Sequence, residues 1–131
     1  MPRAFPFAFG PGVQDFSKSM TGGYVLVRNS AHEIFIAPSN GWNNETAIIP
    51  SMVIKVNVYN EFILAERQGL KRRSKDRLDT YEIPDKDVKD FWILNTDKNH
   101  VIGSLNHQDF KRKLDSLHIP VAIELIDIYK Y

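Results

Sequence analysis

The fold class that the sequence predicts is α+β: an antiparallel meander of about six strands, one amphipathic helix in the C-terminal half, and a final strand. Two observations predict it. Three segments rich in β-branched and aromatic residues are each interrupted by turn-forming residues, and the segment after them switches to a helical spacing of apolar residues. With 131 residues, of which 43% are hydrophobic and 25% charged, the chain has the length and composition of one globular domain.

Each of the three segments predicts a hairpin. The first, "YVLVRNSAHEIFIAP", has two apolar runs on either side of "RNSAHE". The second, "MVIKVNVYNEFILAERQ", is broken at "YNE", and the third, "DFWILNTDKNHVIGSL", carries Asp97, Lys98 and Asn99 between "FWIL" and "HVIG". The three hairpins therefore lie within residues 23–68 and 90–103.

The helix is predicted at about residues 106–117. Asn106 is a good N-cap, and Phe110, Leu114 and Leu117 recur at i, i+4 and i+7 on one face. The helix should end before Pro120, because the residue that precedes a proline is driven out of the α region. The last run, "VAIELIDIYKY", alternates imperfectly and predicts the final strand.

The domain organisation follows from the breaks in these patterns. Residues 1–20 are predicted to form a flexible arm, because "MPRAFPFAFGPGVQ" is interrupted by proline and glycine and does not resemble a signal peptide. Residues 21–131 are predicted to form a single α+β domain with a long charged loop at residues 69–90. No run of apolar residues is long enough to predict a membrane-spanning helix.

Positive charge is concentrated in the segment "ERQGLKRRSKDRLD". The formal net charge is +1, yet without residues 67–77, which hold six basic residues and one acidic residue, the remainder carries −4. We interpret this run as a solvated, mobile loop offset by nearby carboxylates, which can speed the encounter with an acidic protein partner. Its basic residues are candidate partner-binding residues: Arg67, Lys71, Arg72, Arg73, Lys75 and Arg77.

Trp42, in the polar loop "NGWNNET", is a further candidate for partner binding. The alternative is that its indole folds back onto the core. An exposed tryptophan in such a loop is suited to anchor a protein partner or a sugar ring.

No catalytic or metal site is predicted, and no cofactor. The chain has no cysteine, which excludes disulfides, a thiolate nucleophile and cysteine-ligated metals. Its four histidines show no metal-ligand spacing, and Ser104, His107 and Asp109 are close only along the chain, so a triad is not supported. The carboxylates Asp85, Asp87 and Asp90 leave an enzyme as a minor alternative without a defined substrate. We therefore expect that the protein is not an enzyme.

A resemblance is carried by the order of six segments: "TGGYVLVR", "IIPSMVIKV", "FILAERQ", "FWILNT", "VIGSL" and "FKRKLDSLHIP". This order resembles an uncharacterised family of small bacterial proteins, often lipoproteins, whose domain has no known function, and it covers roughly Thr21 to Val121. The resemblance implies no catalytic residues. It implies an extracytoplasmic location and a lipid anchor in the native form, because such members often carry an acylated cysteine before the domain. This chain has no cysteine, so a cytoplasmic location is the alternative.

The function that we expect is a non-catalytic interaction module. It would bind a protein partner at the bacterial cell envelope or act as an immunity-type protein. The alternative is a binder of nucleic acid or of an anionic surface through residues 67–77. That alternative is disfavoured by the near-neutral total charge and by the absence of aromatic residues inside the basic run.

Overall fold

A computed structural model describes residues 15–41 and 47–131 and confirms the α+β class. The elements are β1 (Phe16–Ser19), β2 (Tyr24–Arg28), β3 (Ile34–Pro38), β4 (Val53–Tyr59), β5 (Phe62–Arg72), β6 (Glu82–Asn95), β7 (His100–Leu105), α1 (His107–Ser116) and β8 (Ile126–Asp127). No helix in this part of the chain is long and apolar enough to cross a membrane.

The three predicted hairpins are confirmed as the antiparallel pairs β2–β3, β4–β5 and β6–β7. They do not form one continuous meander. The strands divide into a three-stranded sheet of order β1-β2-β3 and a five-stranded sheet of order β7-β6-β5-β4-β8. Among the described residues, an isolated bridge between Ile36 and Ile49 continues the pairing of β3.

The two sheets share a hydrophobic core, which explains why the chain changes sheet after β3. Leu26 and Ile36 of the smaller sheet are fully buried in the same cluster as Val56, Ile63 and Leu94 of the larger sheet. Burying an apolar face of each sheet against the other removes more apolar surface from water than a single open sheet would.

Helix α1 lies over the opposite face of the larger sheet. Phe110 and Leu114 are buried in a second cluster together with Phe62, Leu64 and Ile93. Because both faces of β5 are covered, Phe62 through Ala65 are all buried, which is why "FILA" is a continuous apolar run.

The limits of α1 agree with the prediction. The Asn106 side chain accepts a hydrogen bond from the Asp109 amide at 2.7 Å. At the other end, Leu117 is the C-cap and His118 adopts a left-handed conformation with φ of 61°. The Ile119 amide then donates to the Leu114 carbonyl at 2.9 Å, so the helix is closed before Pro120.

Three other boundaries differ from the prediction. The end of the predicted arm forms β1, which pairs with β2, whereas residues 1–14 lie outside the described residues. The final strand is only two residues long, because residues 121–125 form turns and irregular backbone before β8 pairs with β4. Most of the predicted loop at 69–90 is strand, since β5 runs to Arg72 and β6 starts at Glu82.

Candidate protein-binding hairpin

The β5–β6 hairpin extends beyond the sheet to which it belongs. The neighbouring strand β4 pairs with β5 only up to Arg67, and β7 pairs with β6 only from Phe91 onward. Past these points, Leu70 pairs with Pro84 and Arg72 with Glu82, and no other strand of the described residues lies beside them. We call residues 70–84 the distal hairpin and residues 73–81 its tip.

An irregularity separates the distal hairpin from the sheet. Gln68 pairs with Lys89, but Leu70 pairs with Pro84, so residues 85–88 protrude from the ladder. The Gln68 amide nitrogen donates to the carbonyls of Asp85 and Val88, which ties this protrusion to β5. Gly69 permits the close approach, since a Cβ atom there would lie 2.6 Å from Cγ1 of Val88.

A buried carboxylate fixes the base of the hairpin. Asp90 is only 6% exposed and accepts hydrogen bonds from Arg67 Nε (2.9 Å) and Nη2 (2.5 Å), Trp92 Nε1 (2.8 Å) and Ser104 Oγ (2.6 Å). The Arg67 guanidinium also donates to the Ser51 carbonyl at 2.8 Å and lies 5.7 Å from the Trp92 ring centre. Arg67, predicted as a partner-binding residue, is therefore part of the structural base of the hairpin.

The protonation of Asp90 follows from this environment. Burial acts to raise the pKa of the Asp90 carboxyl, but the hydrogen bonds from Arg67, Ser104 and Trp92 outweigh burial, and the pKa lies below its ordinary value. The carboxylate is charged at neutral pH and its oxygens are occupied.

The indole of Trp92 is also held from its other side. A Cβ atom added to Gly103 on β7 would lie 2.2 Å from Cε3 of the indole. The tryptophan thus lies against bare backbone while its Nε1 is fixed by Asp90. Together these contacts fix the position of the Trp92 indole at the base of the hairpin.

Arg73 closes the tip. Its backbone amide donates to the Tyr81 carbonyl at 2.9 Å, and its guanidinium forms two hydrogen bonds of 2.9 Å with the Asp79 carboxylate. The guanidinium also lies 4.7 Å from the Tyr81 ring centre. The hydrogen bond from Arg73, followed by the one from the Tyr81 amide, lowers the pKa of Asp79, and the same ion pair raises the pKa of Arg73.

Arg72 organises the rest of the tip. Its Nη2 atom donates to the carbonyls of Asp76 and Asp79 at 2.7 and 2.8 Å. The Asp76 amide donates to Ser74 Oγ, and the Asp76 carboxylate accepts from the Leu78 amide at 2.9 Å. These local bonds give the tip a defined backbone conformation.

The six predicted basic residues therefore have three different roles. Arg67 is part of the Asp90 network, whereas Arg72 and Arg73 hold the tip together. The remaining three form no ion pair with any residue of the described ranges, and all are exposed: Lys71, Lys75 and Arg77. Trp42 lies outside the described residues.

The distal hairpin also presents apolar side chains that the sequence analysis did not select. Leu78 at the tip is 92% exposed, and Tyr81 is 50% exposed. Val88, in the protruding segment beside the hairpin, is 43% exposed. A single leucine within the polar stretch "KDRLDTY" was the available signal for Leu78. The distal hairpin thus combines an exposed leucine at its tip with three cations that have no ion-pair partner among the described residues: Lys71, Lys75 and Arg77.

A family model matches residues 21–129, under the description "Protein of unknown function (DUF3997)". The chain belongs to this family. The match confirms the resemblance to an uncharacterised family. Comparisons with curated proteins and with solved structures find no match.

The three residues of this DUF3997 domain that were considered as a catalytic triad each interact with a different partner. Ser104 donates its hydroxyl to Asp90, His107 packs edge-on against Phe91 with ring centres 5.3 Å apart, and Asp109 pairs with Arg112 at 3.2 Å. Ser104 is thus engaged by a carboxylate and has no hydrogen bond to a histidine in the described part of the chain.

Two of the three carboxylates of this domain that were considered for catalysis are engaged locally, Asp85 and Asp90. Asp85 accepts from the Asp87 amide at 3.2 Å, and Asp90 is occupied by its four donors. Within residues 15–41 and 47–131 there is no group of three or more histidine, aspartate or glutamate side chains that could hold a metal ion.

Proposed function

We propose that this domain is a non-catalytic interaction module that binds a protein partner through the tip of its distal hairpin. The observation that carries the proposal is the exposure of Leu78, 92%, in a loop whose backbone is fixed by hydrogen bonds. A large aliphatic side chain in water has no stabilising role in the isolated domain, whereas in a pocket of a partner its burial is favourable by about 1.5 to 3 kcal/mol.

The order of the tip supports this proposal. Ordering a loop on binding reduces affinity, and a loop that already has its bound conformation avoids that cost. Arg72, Arg73 and Asp79 provide this order through the bonds described above, so Leu78 and Tyr81 are presented on a defined framework. Tyr81 is of a residue type that is enriched among the residues that dominate binding energy at protein interfaces.

The charge of the distal hairpin indicates an acidic partner. Lys71, Lys75 and Arg77 flank the exposed leucine, and the rest of the chain outside residues 67–77 carries a net charge of −4. An acidic surface would be attracted to the tip and repelled by the body of the domain, which orients the encounter.

The setting that we propose is the bacterial cell envelope, with a native form tethered by lipid or acting as an immunity-type protein. The resemblance to small bacterial proteins that are often lipoproteins supports this setting. A cytoplasmic location is the alternative.

Binding of nucleic acid through the same hairpin is less well supported. Arg72 and Arg73 are engaged with carbonyls and with Asp79, so only part of the basic run is available to phosphates. The ring of Tyr81, which follows the run in the same hairpin, already lies against the Arg73 guanidinium. A stacking platform for bases would require that face.

The test is co-purification from the native host with the tagged chain and with two matched variants, Leu78→Ser and Val121→Ser. Val121 is also exposed, at 46%, but lies in the segment after α1. We expect a stoichiometric protein partner with the native chain and with Val121→Ser, and its loss with Leu78→Ser. Absence of any such partner would overturn the proposed function, and retention of the partner by Leu78→Ser would overturn the assignment of the interface. Because Leu78 is exposed, its substitution should change the free energy of unfolding by less than about 0.5 kcal/mol, so misfolding would not explain a loss.

A further inference from the structure

A cleft of about 330 Å³ lies on the face of the larger sheet that α1 covers. Its walls come from β4, β5 and β6, from α1 and from residues 122–125. The lining residues within the described ranges all lie outside the distal hairpin. The volume of the cleft is within the range of about 300 to 1,000 Å³ that is usual for small-molecule sites.

Glu66 of β5 brings a carboxylate to this cleft. Its side chain is only 12% exposed, and its ion-pair partner among the described residues is Lys89, whose Nζ lies 3.8 Å from Oε2. That separation is too long for a hydrogen bond, and no other described residue donates a hydrogen bond to the carboxylate. Because buried carboxylates are normally hydrogen-bonded, Glu66 is well suited to accept from a donor that enters the cleft.

Lys55 of β4 and Lys111 of α1 bring ammonium groups to the same cleft. Lys55 lies opposite Glu66 in the ladder and opposite Asp127 of β8 on its other side, but it forms no ion pair with the described residues. Lys111 Nζ donates to the Val121 carbonyl at 2.6 Å, so one of its three hydrogens is already used. Charges of both signs therefore line one cleft, and Lys55 is the cation that is more available to a ligand.

The cleft also has an apolar wall. Phe91 of β6 and Ile123 and Leu125 of the segment before β8 line it, and all three are partly buried. The segment before β8 is held by Asn57, whose Nδ2 donates to the Glu124 carbonyl at 2.7 Å. The wall thus has a defined position beside the charged groups, and it suits an aliphatic side chain.

We propose that this cleft binds a small amphoteric molecule of the class of the aliphatic α-amino acids. The ammonium group of the ligand donates to the Glu66 carboxylate, and the carboxylate of the ligand accepts from Lys55. The aliphatic side chain of the ligand packs against Phe91, Ile123 and Leu125. A ligand that carries only one of the two charges loses one of these two partners. The proposal does not depend on the protein-binding function proposed above, because it uses no residue of the distal hairpin.

The experiment is an NMR titration of the full chain with leucine and with two analogues that each lack one charged group, 3-methylbutylamine and 4-methylpentanoate. We expect leucine to bind most tightly and each analogue to bind at least about threefold more weakly, with shifts of the backbone amides of Phe91, Lys111 and Ala122. No shift at these positions would overturn the proposal. An analogue that binds as tightly as leucine would also overturn it, because the two charges would then not be recognised together.

Two variants assign the charges. Glu66→Gln removes the carboxylate at nearly constant size and should weaken the binding of leucine and of 3-methylbutylamine by about threefold or more, without weakening that of 4-methylpentanoate. Lys55→Gln should weaken the binding of leucine and of 4-methylpentanoate by a similar factor, without weakening that of the amine. Because Lys55 is exposed, its substitution should leave the fold intact, so this arm remains decisive even if Glu66→Gln does not fold.

The matched controls are Asp97→Asn and Lys98→Gln, which make the same changes of charge at exposed positions of the β6–β7 turn. Both should leave the affinities for all three compounds unchanged. Unchanged affinity for leucine in Lys55→Gln or in a folded Glu66→Gln, or an equal loss in the controls, would contradict the assigned site.

Discussion

Replacing Asp90 by asparagine should destabilise the protein strongly. The change keeps the size of the side chain but removes the charge that pairs with Arg67, whose side chain is only 19% exposed. Removing one partner of a buried ion pair costs about 3 to 5 kcal/mol. Because Arg67 retains some exposure and its bond to the Ser51 carbonyl, we expect the lower end, about 3 kcal/mol.

Urea unfolding of the native chain and of Asp90→Asn, monitored by circular dichroism, measures this difference. Asp97→Asn, which alters an exposed aspartate without an ion pair in the described ranges, is the control and should change the free energy of unfolding by less than about 0.5 kcal/mol. A loss below about 1 kcal/mol for Asp90→Asn would refute the view that this network fixes the base of the hairpin.

The pH dependence provides a second check on the same residue. The pKa of Asp90 is lowered in the folded state, so the unfolded chain takes up the proton more readily. The stabilisation by the Asp90 carboxylate is therefore fully present above its ordinary pKa of about 4 and is lost as the pH falls through the lower folded value. The difference between the native chain and Asp90→Asn should be constant near neutral pH and should shrink in acid. A difference that grows below about pH 4 would contradict this reasoning.

Three other predictions concern the helix, metals and nucleic acid. Leu114→Ala should cost roughly 2 to 5 kcal/mol in urea unfolding, because Leu114 is fully buried against the sheet, and a change under about 0.5 kcal/mol would contradict that packing. A chelator should leave the thermal midpoint unchanged, since the described residues hold no metal-binding group, and a large drop would show that a metal is bound. At about 0.15 M salt, duplex and single-stranded DNA should bind only weakly. Sub-micromolar binding with a steep salt dependence would instead favour the nucleic-acid alternative, provided that this binding is lost when four residues are changed to alanine: Lys71, Arg72, Arg73 and Lys75.

The hairpins and the helix were predictable because their signals are local. The two-residue turn at Asn60 and Glu61 and the cap at Asn106 are each specified by a few neighbouring residues. The division into two sheets was not predicted. Whether β3 and β4 pair with each other depends on long-range packing, and no local sequence signal specifies it. The uninterrupted run "FILA" was a signal for the layering, since a strand that is buried on both faces needs a layer on each side.

The candidate site was predictable only in part. The charge of residues 67–77 is visible in the sequence, but these residues were assigned to a loop because charges and Pro84 are unusual in a central strand. No third strand from residues 15–41 or 47–131 pairs with the distal hairpin, and charged side chains are tolerated there. The role of Arg67 depends on its cross-strand pairing with Asp90, 23 residues away, which no local pattern reveals.

The contact between Gly103 and Trp92 has a consequence for mutational tolerance. Gly103 is exposed at the edge of the larger sheet, so by exposure alone its position would be expected to accept almost any residue. Even alanine, however, would place a methyl group 2.2 Å from an indole that Asp90 holds in place. In a saturation mutagenesis screen for folded protein, Gly103 should therefore be as intolerant as the fully buried Leu94.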